Sequence, residues 1–347
     1  MKHLLLLWSL FSLGCPAGHA QTYSAPCATA QSATAGSGTF KAFDRLDIGL
    51  SAGSTGVGVD LSMPLTGWMQ VRAGFDYMPR IHVNMNFGIQ VGDEPESGFD
   101  ASGNPVETKF DRLSAMLEQI TGYKVDRSID MIGRPTACNA KLLFDFFPLR
   151  NRHWHVTAGV YYGPRQFAEA YNTTEDMPSL VAVGMYNKMY EIAETYPDGE
   201  GGFENENMKP FFSMGGKDIY SPDLAQKFLS YGRMGVGIGY RNSDGKVYRM
   251  EPDENSMVKA RMLVNRIKPY LGVGYGGALS KHDPTYRFSF DCGVMFWGGT
   301  PSVVTHDGTD LVHDVHDISG KVGRYVRAAK QFKVYPVVSL RLSKTIF

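Results

Sequence analysis

Eight stretches of this chain alternate apolar and polar side chains, and that period of two constrains the fold more than any other feature. Successive side chains of a strand point to opposite faces, whereas a helix repeats every ~3.6 residues. The clearest stretch places Phe288, Phe290, Cys292, Val294 and Phe296 on one face, with Ser289, Asp291 and Gly293 opposite. Leu46, Ile48, Leu50 and Ala52 repeat the pattern, as do Val57, Val59, Leu61 and Met63, and then Met69, Val71, Ala73, Phe75 and Tyr77. Ala140–Phe146, Trp154–Tyr162, Leu271–Tyr275 and Tyr335–Phe347 complete the set. One face of each is apolar and the other small or charged, as in a strand between hydrocarbon and a polar interior.

The connections between these stretches sort by length. Those after Ala52, at Pro64–Gly67 and at Pro148–Arg152 are short, and Gly276–Tyr286 is modest. Those at 78–138, 164–266 and 298–334 are long, and each falls at an odd-numbered junction. An antiparallel barrel with both termini on one side requires this sorting, and a β-sandwich gives no reason for it. The expected fold is all-β: a closed antiparallel transmembrane β-barrel of eight strands, with long, partly helical loops outside. Ten or twelve strands stay open. The parity of Met69–Tyr77 runs on past Pro79 through Ile81, Val83, Met85, Phe87 and Ile89, as one projecting strand or as a reversal that adds strands. Met234–Tyr240 and Lys246–Met250 read as a hairpin about Asn242–Gly245. Helices are expected at Phe110–Ile120 and at Pro178–Tyr196, where Pro178 suits a first turn.

The start of the chain reads as a targeting segment. Met1–His3 is basic, Leu4–Leu13 apolar, and Gly18-His19-Ala20 a small-residue cleavage pattern, so residues 1–20 read as a signal peptide cut near Ala20. Leu13-Gly14-Cys15 also matches a degenerate lipoprotein site, with Cys15 as the lipidated residue. Residues 21–43 read as a flexible periplasmic leader and 44–347 as the barrel with its loops. Cleavage leaves Cys27, Cys138 and Cys292, an odd count, with Cys292 on an apolar row and a Cys27–Cys138 pair left open. A formal net charge of +0 gives no reason to expect nucleic acid as a partner. No apolar run reaches the ~18 residues of a membrane helix, a test that barrels escape.

Six runs carry a family resemblance: Leu50–Leu61, Phe144–Pro148, His155–Tyr162, Lys268–Gly276, Phe288–Gly298 and Phe332–Ser343. They resemble the eight-stranded outer-membrane β-barrel proteins of Gram-negative bacteria, a porin-like group of OmpA- and OmpW-like proteins. The resemblance touches nearly every expected strand and none of the loops. It implies a place in the cell outer membrane, contact with outer-membrane lipid and lipopolysaccharide, and assembly by the barrel-assembly machinery through the last strand. It implies no particular chemistry. The chain departs from the group at its end, where Val338, Leu340 and Leu342 keep the apolar parity and Phe347 falls one residue out of phase.

The inward row carries Asp47, Asp60, Arg72, Asp76, Lys141, Asp145, His155, Asp291 and Arg341. An eight-stranded barrel is just wide enough to be filled by side chains, so these are expected to pair as a salt-bridged plug rather than line a conduit. A carboxylate pair such as Asp76 with Asp145 would suit acid–base work, but nothing in the sequence positions a nucleophile or substrate. His306, His313, His316 and Asp317 form the densest ligand cluster; on a helix, His313 and His316 or Asp317 would share a face suited to a zinc-like ion. The alternative is a solvated polar face. Gly272–Gly277 matches the spacing GxGxxG, yet a strand rather than a helix follows, so a nucleotide site is rejected. These glycines instead read as inward positions that make room for bulky neighbours. Trp68, Tyr77, Trp154, Tyr162, Tyr275, Tyr286, Trp297 and Tyr335 suit interfacial girdles.

The functional expectation is a non-enzymatic outer-membrane barrel with a largely plugged lumen, in a structural or surface role, with an extracellular ligand at its loops and no cofactor. The alternatives are a narrow channel for small solutes and a secreted β-sandwich binding protein. A lipid-modifying barrel enzyme would need Ser, His and an acid clustered on the apolar face, and the sequence offers no such cluster.

Overall fold

The computed structural model describes residues 43–93, 96–197, 213–214, 217–218, 221–280, 285–318 and 320–346. Residues 1–42, and with them the signal peptide, Cys15 and Cys27, lie outside the described residues, as does Phe347.

Eight strands close into one barrel: β1 (Asp47–Gly53), β2 (Gly56–Thr66), β3 (Met69–Tyr77), β4 (Cys138–Phe146), β5 (Trp154–Tyr162), β6 (Ile267–Ala278), β7 (Tyr286–Phe296) and β8 (Val334–Thr345). Each pairs antiparallel with its neighbours in sequence. β8 then returns to β1, in register from Asp47 opposite Thr345 to Gly53 opposite Ser339. That closing ladder rules out the sandwich, which would leave β1 and β8 as edges.

The alternation read from the sequence sets the two surfaces. Leu50, Val59, Phe75, Leu142, Val273, Phe290 and Leu340 point outward and are exposed, whereas Asp60, Arg72, Lys141, His155 and Asp291 point inward and are buried. The outer wall is thus one continuous apolar belt, far larger than the few hundred Å² a water-soluble monomer exposes. Cys292 stands on this outward row, opposite Val273 and Val338.

The long connections build a second layer at one end of the barrel. Val83–Gly88, Ser128–Pro135, Gln166–Asn172, Lys259–Leu263 and Ser302–Thr305 form a five-stranded sheet. Met234–Arg241 pairs with Val247–Met250 on one side and Val315–His316 on the other. The segment after Pro79 therefore adds a strand, but to this head and not to the barrel. The hairpin about Asn242–Gly245 likewise belongs to the head, so the barrel count stays at eight.

Helices α1 (Lys109–Thr121), α2 (Met177–Thr195), α3 (Pro222–Tyr231) and α4 (Gly320–Gln331) pack against these sheets. In α1, Thr108 and Asp111 cap each other reciprocally, and Gly122 ends the helix in the left-handed conformation at φ 73°. Its apolar stripe buries Leu113 and Leu117 completely. In α2, Pro178 occupies the first turn. No described helix is long and apolar enough to cross a membrane. The head has its own core, in which Leu113, Met131, Tyr186, Phe228, Met234 and Val326 belong to one cluster.

Candidate functional site

All nine inward residues named above are buried, at 7% exposure or less. Strand pairing sets them side by side. Arg72 on β3 binds Asp145 on β4 at 2.8 Å and reaches across the lumen to Asp291 on β7 at 3.2 Å. His155 Nε2 lies 2.9 Å from the same Asp291. Lys141 binds Asp76 at 2.6 Å and stands 3.5 Å from Asp60, which also receives Arg341 at 2.6 Å. Asp47 sits apart at the inner rim, held by Arg45 at 3.1 Å and by the Thr345 hydroxyl at 2.6 Å. Each of these nine charged or titratable groups so finds an opposite partner, which is the condition for keeping it out of water.

Sequence reasoning passed over the neutral members of this network. Gln70 and Thr157 both donate to Asp145, at 3.2 and 2.8 Å, and Arg341 donates to Ser62 at 2.8 Å. Their inward parity was the available signal. Asp76 and Asp145 do not form a carboxylate pair, since each is bound by a different cation. Asp145, His155 and Asp291 do bring ligand atoms within 4.8 Å of one another, but the Arg72 guanidinium already bridges the two carboxylates. The cation of this cluster is an arginine.

Toward the head the inward row changes character. Leu143, Tyr161, Tyr270, Met295 and Val337 are all buried and pack together, with Tyr161 edge-on to Tyr270 at 5.6 Å. Above them Lys268 is 1% exposed and donates to Asn139 at 3.0 Å. Trp297, Tyr335 and Phe167 then close the mouth, with ring centroids 5.1–5.7 Å apart. Trp297 and Tyr335 are therefore plug residues and not girdle residues. Tyr335 follows the inward parity of Val337, and Trp297 is only 4% exposed. The other six girdle aromatics do stand outward and exposed. The lumen is thus filled by an ionic layer and then an aromatic one, leaving voids of about 30 and 10 Å³, room for a water molecule or two.

Glycines make this filling fit. A Cβ on Gly274 would lie 2.2 Å from His155 Nε2, and one on Gly272 would lie 2.3 Å from the Tyr270 hydroxyl. Gly274→Val is expected to push His155 off Asp291 and lower barrel stability by about 1–3 kcal/mol. The midpoint of urea unfolding in detergent, followed by gel mobility without boiling, measures this; an unchanged midpoint would refute the fit.

The structure does not bring His306, His313, His316 and Asp317 together. Asp310 bridges to Val304, residues 311–314 form turns and Val315–His316 a short strand, so no helix aligns them. His313 binds Asp310 at 2.7 Å, while His316 binds Asn242 at 2.7 Å and lies 3.9 Å from Asp317. Burial works against the Asp310 charge, yet hydrogen bonds from His313, Ser302 and the Val312 and Val303 N–H groups hold its carboxyl below the usual range. Asp310 and Asn242 thus take up His313 and His316 separately, while the buried His306 Nδ1 has no hydrogen-bond partner among the described residues. Among the described residues, Asp145, His155 and Asp291 are the only group with metal-ligand spacing.

His306 instead lines an open cleft of about 1140 Å³ in the head, together with Tyr190, Tyr231, Arg233, Tyr240 and Arg249. Arg233 is fixed by Glu191 and Glu251 at 2.9 Å each, and lies over the Tyr190 ring. The Arg249 side chain is 6% exposed and donates to the Gly92 carbonyl at 2.7 Å. These residues come from separate loops and helices, so no local pattern announced the cleft.

No family model matches the sequence, and no curated protein does. In shape the chain is similar to the crystal structures of CarO2 and CarO from Acinetobacter baumannii, each at 12% identity. TM-scores are 0.35 and 0.34, with 88% and 86% of this chain covering 100% and 96% of those chains. A major outer membrane protein of Thermus thermophilus gives 11% identity and a TM-score of 0.24, over 87% of this chain and 98% of that one. Likeness at this level is weaker than the molecule's own testimony, which is the closed hydrogen-bonded ladder from β1 round to β8.

Proposed function

We propose that this protein is an outer-membrane barrel with a sealed lumen, serving as a non-enzymatic anchor that holds a folded head outside the cell. The apolar belt supports a hydrocarbon surrounding, since water would leave the exposed rows of Leu50, Val59, Phe75, Val273 and Phe290 without a partner. The filled lumen is the observation that carries the rest. A narrow channel needs a continuous water path, and among the described residues the ionic and aromatic layers leave voids of about 30 and 10 Å³. The working surface then lies in the head, where the cleft lined by Tyr190, Arg233, Tyr240 and Arg249 offers fixed cations and aromatic faces to an extracellular ligand.

Purified full-length protein in planar bilayers is expected to give no stable conductance steps, and vesicles carrying it no faster leakage of small solutes than empty ones. Discrete, reproducible openings would overturn the sealed-lumen reading and restore the channel. Membrane fractionation, with comparison of unboiled and boiled gel mobility, tests the location itself. A soluble, unshifted protein would remove it.

A further inference from the structure

At the end of the lumen away from the head, where β1 starts and β8 stops, cations outnumber carboxylates. Among the described residues, the void of about 30 Å³ at that end is lined by the guanidiniums of Arg72, Arg152, Arg287 and Arg341 and by the carboxylates of Asp47 and Asp145. Both carboxylates are already taken, Asp47 by Arg45 at 3.1 Å and Asp145 by Arg72 at 2.8 Å. Arg341 is engaged in turn by Asp60 at 2.6 Å. Arg152 and Arg287 are left over. Among the described residues, neither has a carboxylate within ion-pair distance.

The chain brings these two cations to one place by different routes. Arg287 is the second residue of β7 and shares the inward parity of Ser289 and Asp291. Arg152 closes the short turn before β5, where its N–H donates to the Leu149 carbonyl at 3.0 Å. Its backbone there takes a left-handed φ of 52°, uncommon for any residue but glycine. The guanidinium lies over the Phe147 ring, 4.9 Å from its centroid, and is held there by the ring face. Both side chains are half-buried. Arg45 repels both of them and Arg152 repels Arg287, against attraction from Asp44 on the first and Asp47 on the second. Like charges gathered at a mouth with low-dielectric walls raise the local potential and favour a counter-anion. Two forked guanidiniums facing one void suit an oxyanion, since each presents parallel N–H donors to paired oxygens. The space matches one such group, a water needing about 10–15 Å³ of it. Lipid is not the source, because Arg287 points into the lumen while its neighbours Tyr286 and Phe288 point out, exposed.

We propose that Arg152 and Arg287 hold a small oxyanion, the phosphate or carboxylate group of a soluble molecule, in the mouth of the lumen away from the head. Folded full-length protein in detergent is titrated with inorganic phosphate and, separately, with acetate, each against chloride at matched ionic strength. The readout is the temperature at which the unboiled gel species is lost. At least one oxyanion is expected to stabilise wild type saturably beyond chloride. The variant Arg152→Gln/Arg287→Gln is expected to bind that oxyanion about tenfold more weakly, having lost its charge-assisted donors. Its gel shift in chloride reports whether it folds. A second arm uses wild type alone: the oxyanion is expected to shield Arg152 and Arg287 from phenylglyoxal, mapped by mass spectrometry, while exposed Arg266 at the far rim stays reactive. No stabilisation beyond chloride, equal stabilisation of the folded variant, or equal modification with and without oxyanion would overturn the proposal. None of these outcomes bears on the sealed lumen, which conductance tests separately.

Discussion

Replacing Arg72 by methionine is expected to lower barrel stability by about 3–5 kcal/mol, the largest effect of any single substitution in the lumen. The guanidinium lies between Asp145 at 2.8 Å and Asp291 at 3.2 Å, and both carboxylates are buried. Methionine keeps much of the side-chain length and removes the charge. Two carboxylates would then face each other without their bridging cation in a space too small for enough water to replace it. Urea titration, read as loss of the unboiled gel species, measures the change. The control is Arg72→Met with Asp145→Asn and Asp291→Asn, which removes the stranded charges and is expected to recover much of the loss, because a neutral, packed replacement of a buried ion network is often tolerated. A single variant as stable as wild type would mean that the ionic layer is not holding the barrel.

The second large effect belongs to the head. Leu113→Ala removes a side chain with 0% exposure from the head's core, a cluster to which all three insertions contribute residues, and is expected to cost about 2–5 kcal/mol. The barrel has a separate filling and a ladder with no edge, so it is expected to keep its heat-dependent gel shift while the head becomes sensitive to protease. Two transitions on heating, only the lower one moved by the substitution, would match this division. A single transition moved as a whole would show that head and barrel unfold together.

Much of the barrel was legible because its code is binary. One residue in two faces out of the barrel, so Leu46–Ala52, Trp154–Tyr162 and Phe288–Phe296 betray themselves without regard to what they contact. The ionic layer was legible for the same reason, since charges on the inward parity must pair or be excluded. The aromatic layer was not. Tyr161, Tyr270 and Tyr335 lie on inward positions, but tyrosine at a strand end also suits a membrane interface, and parity alone had to decide. Tyr335 and Trp297 were assigned outward on residue type, and packing beneath the head overrode it. The head itself was legible only as pieces. Alternation located Val83–Gly88 and the Met234–Met250 hairpin, but their partners lie on other insertions, and pairing between distant segments leaves no local trace. His306–Asp317 misled in the opposite way. Its density of ligand types suggested one site, whereas the backbone turns there and hands each imidazole a different neighbour.

The sealed lumen has a consequence for biogenesis. The head is woven from three insertions whose ends are all barrel strands, and the seam between the first and last strands pairs Asp47 with Thr345, 298 positions apart in the chain. Once that seam has closed, side chains obstruct the passage through which head polypeptide could travel. On the membrane reading proposed above, the three insertions reach the head's side before the seam between β1 and β8 closes, because afterwards the ionic and aromatic layers stand in the way.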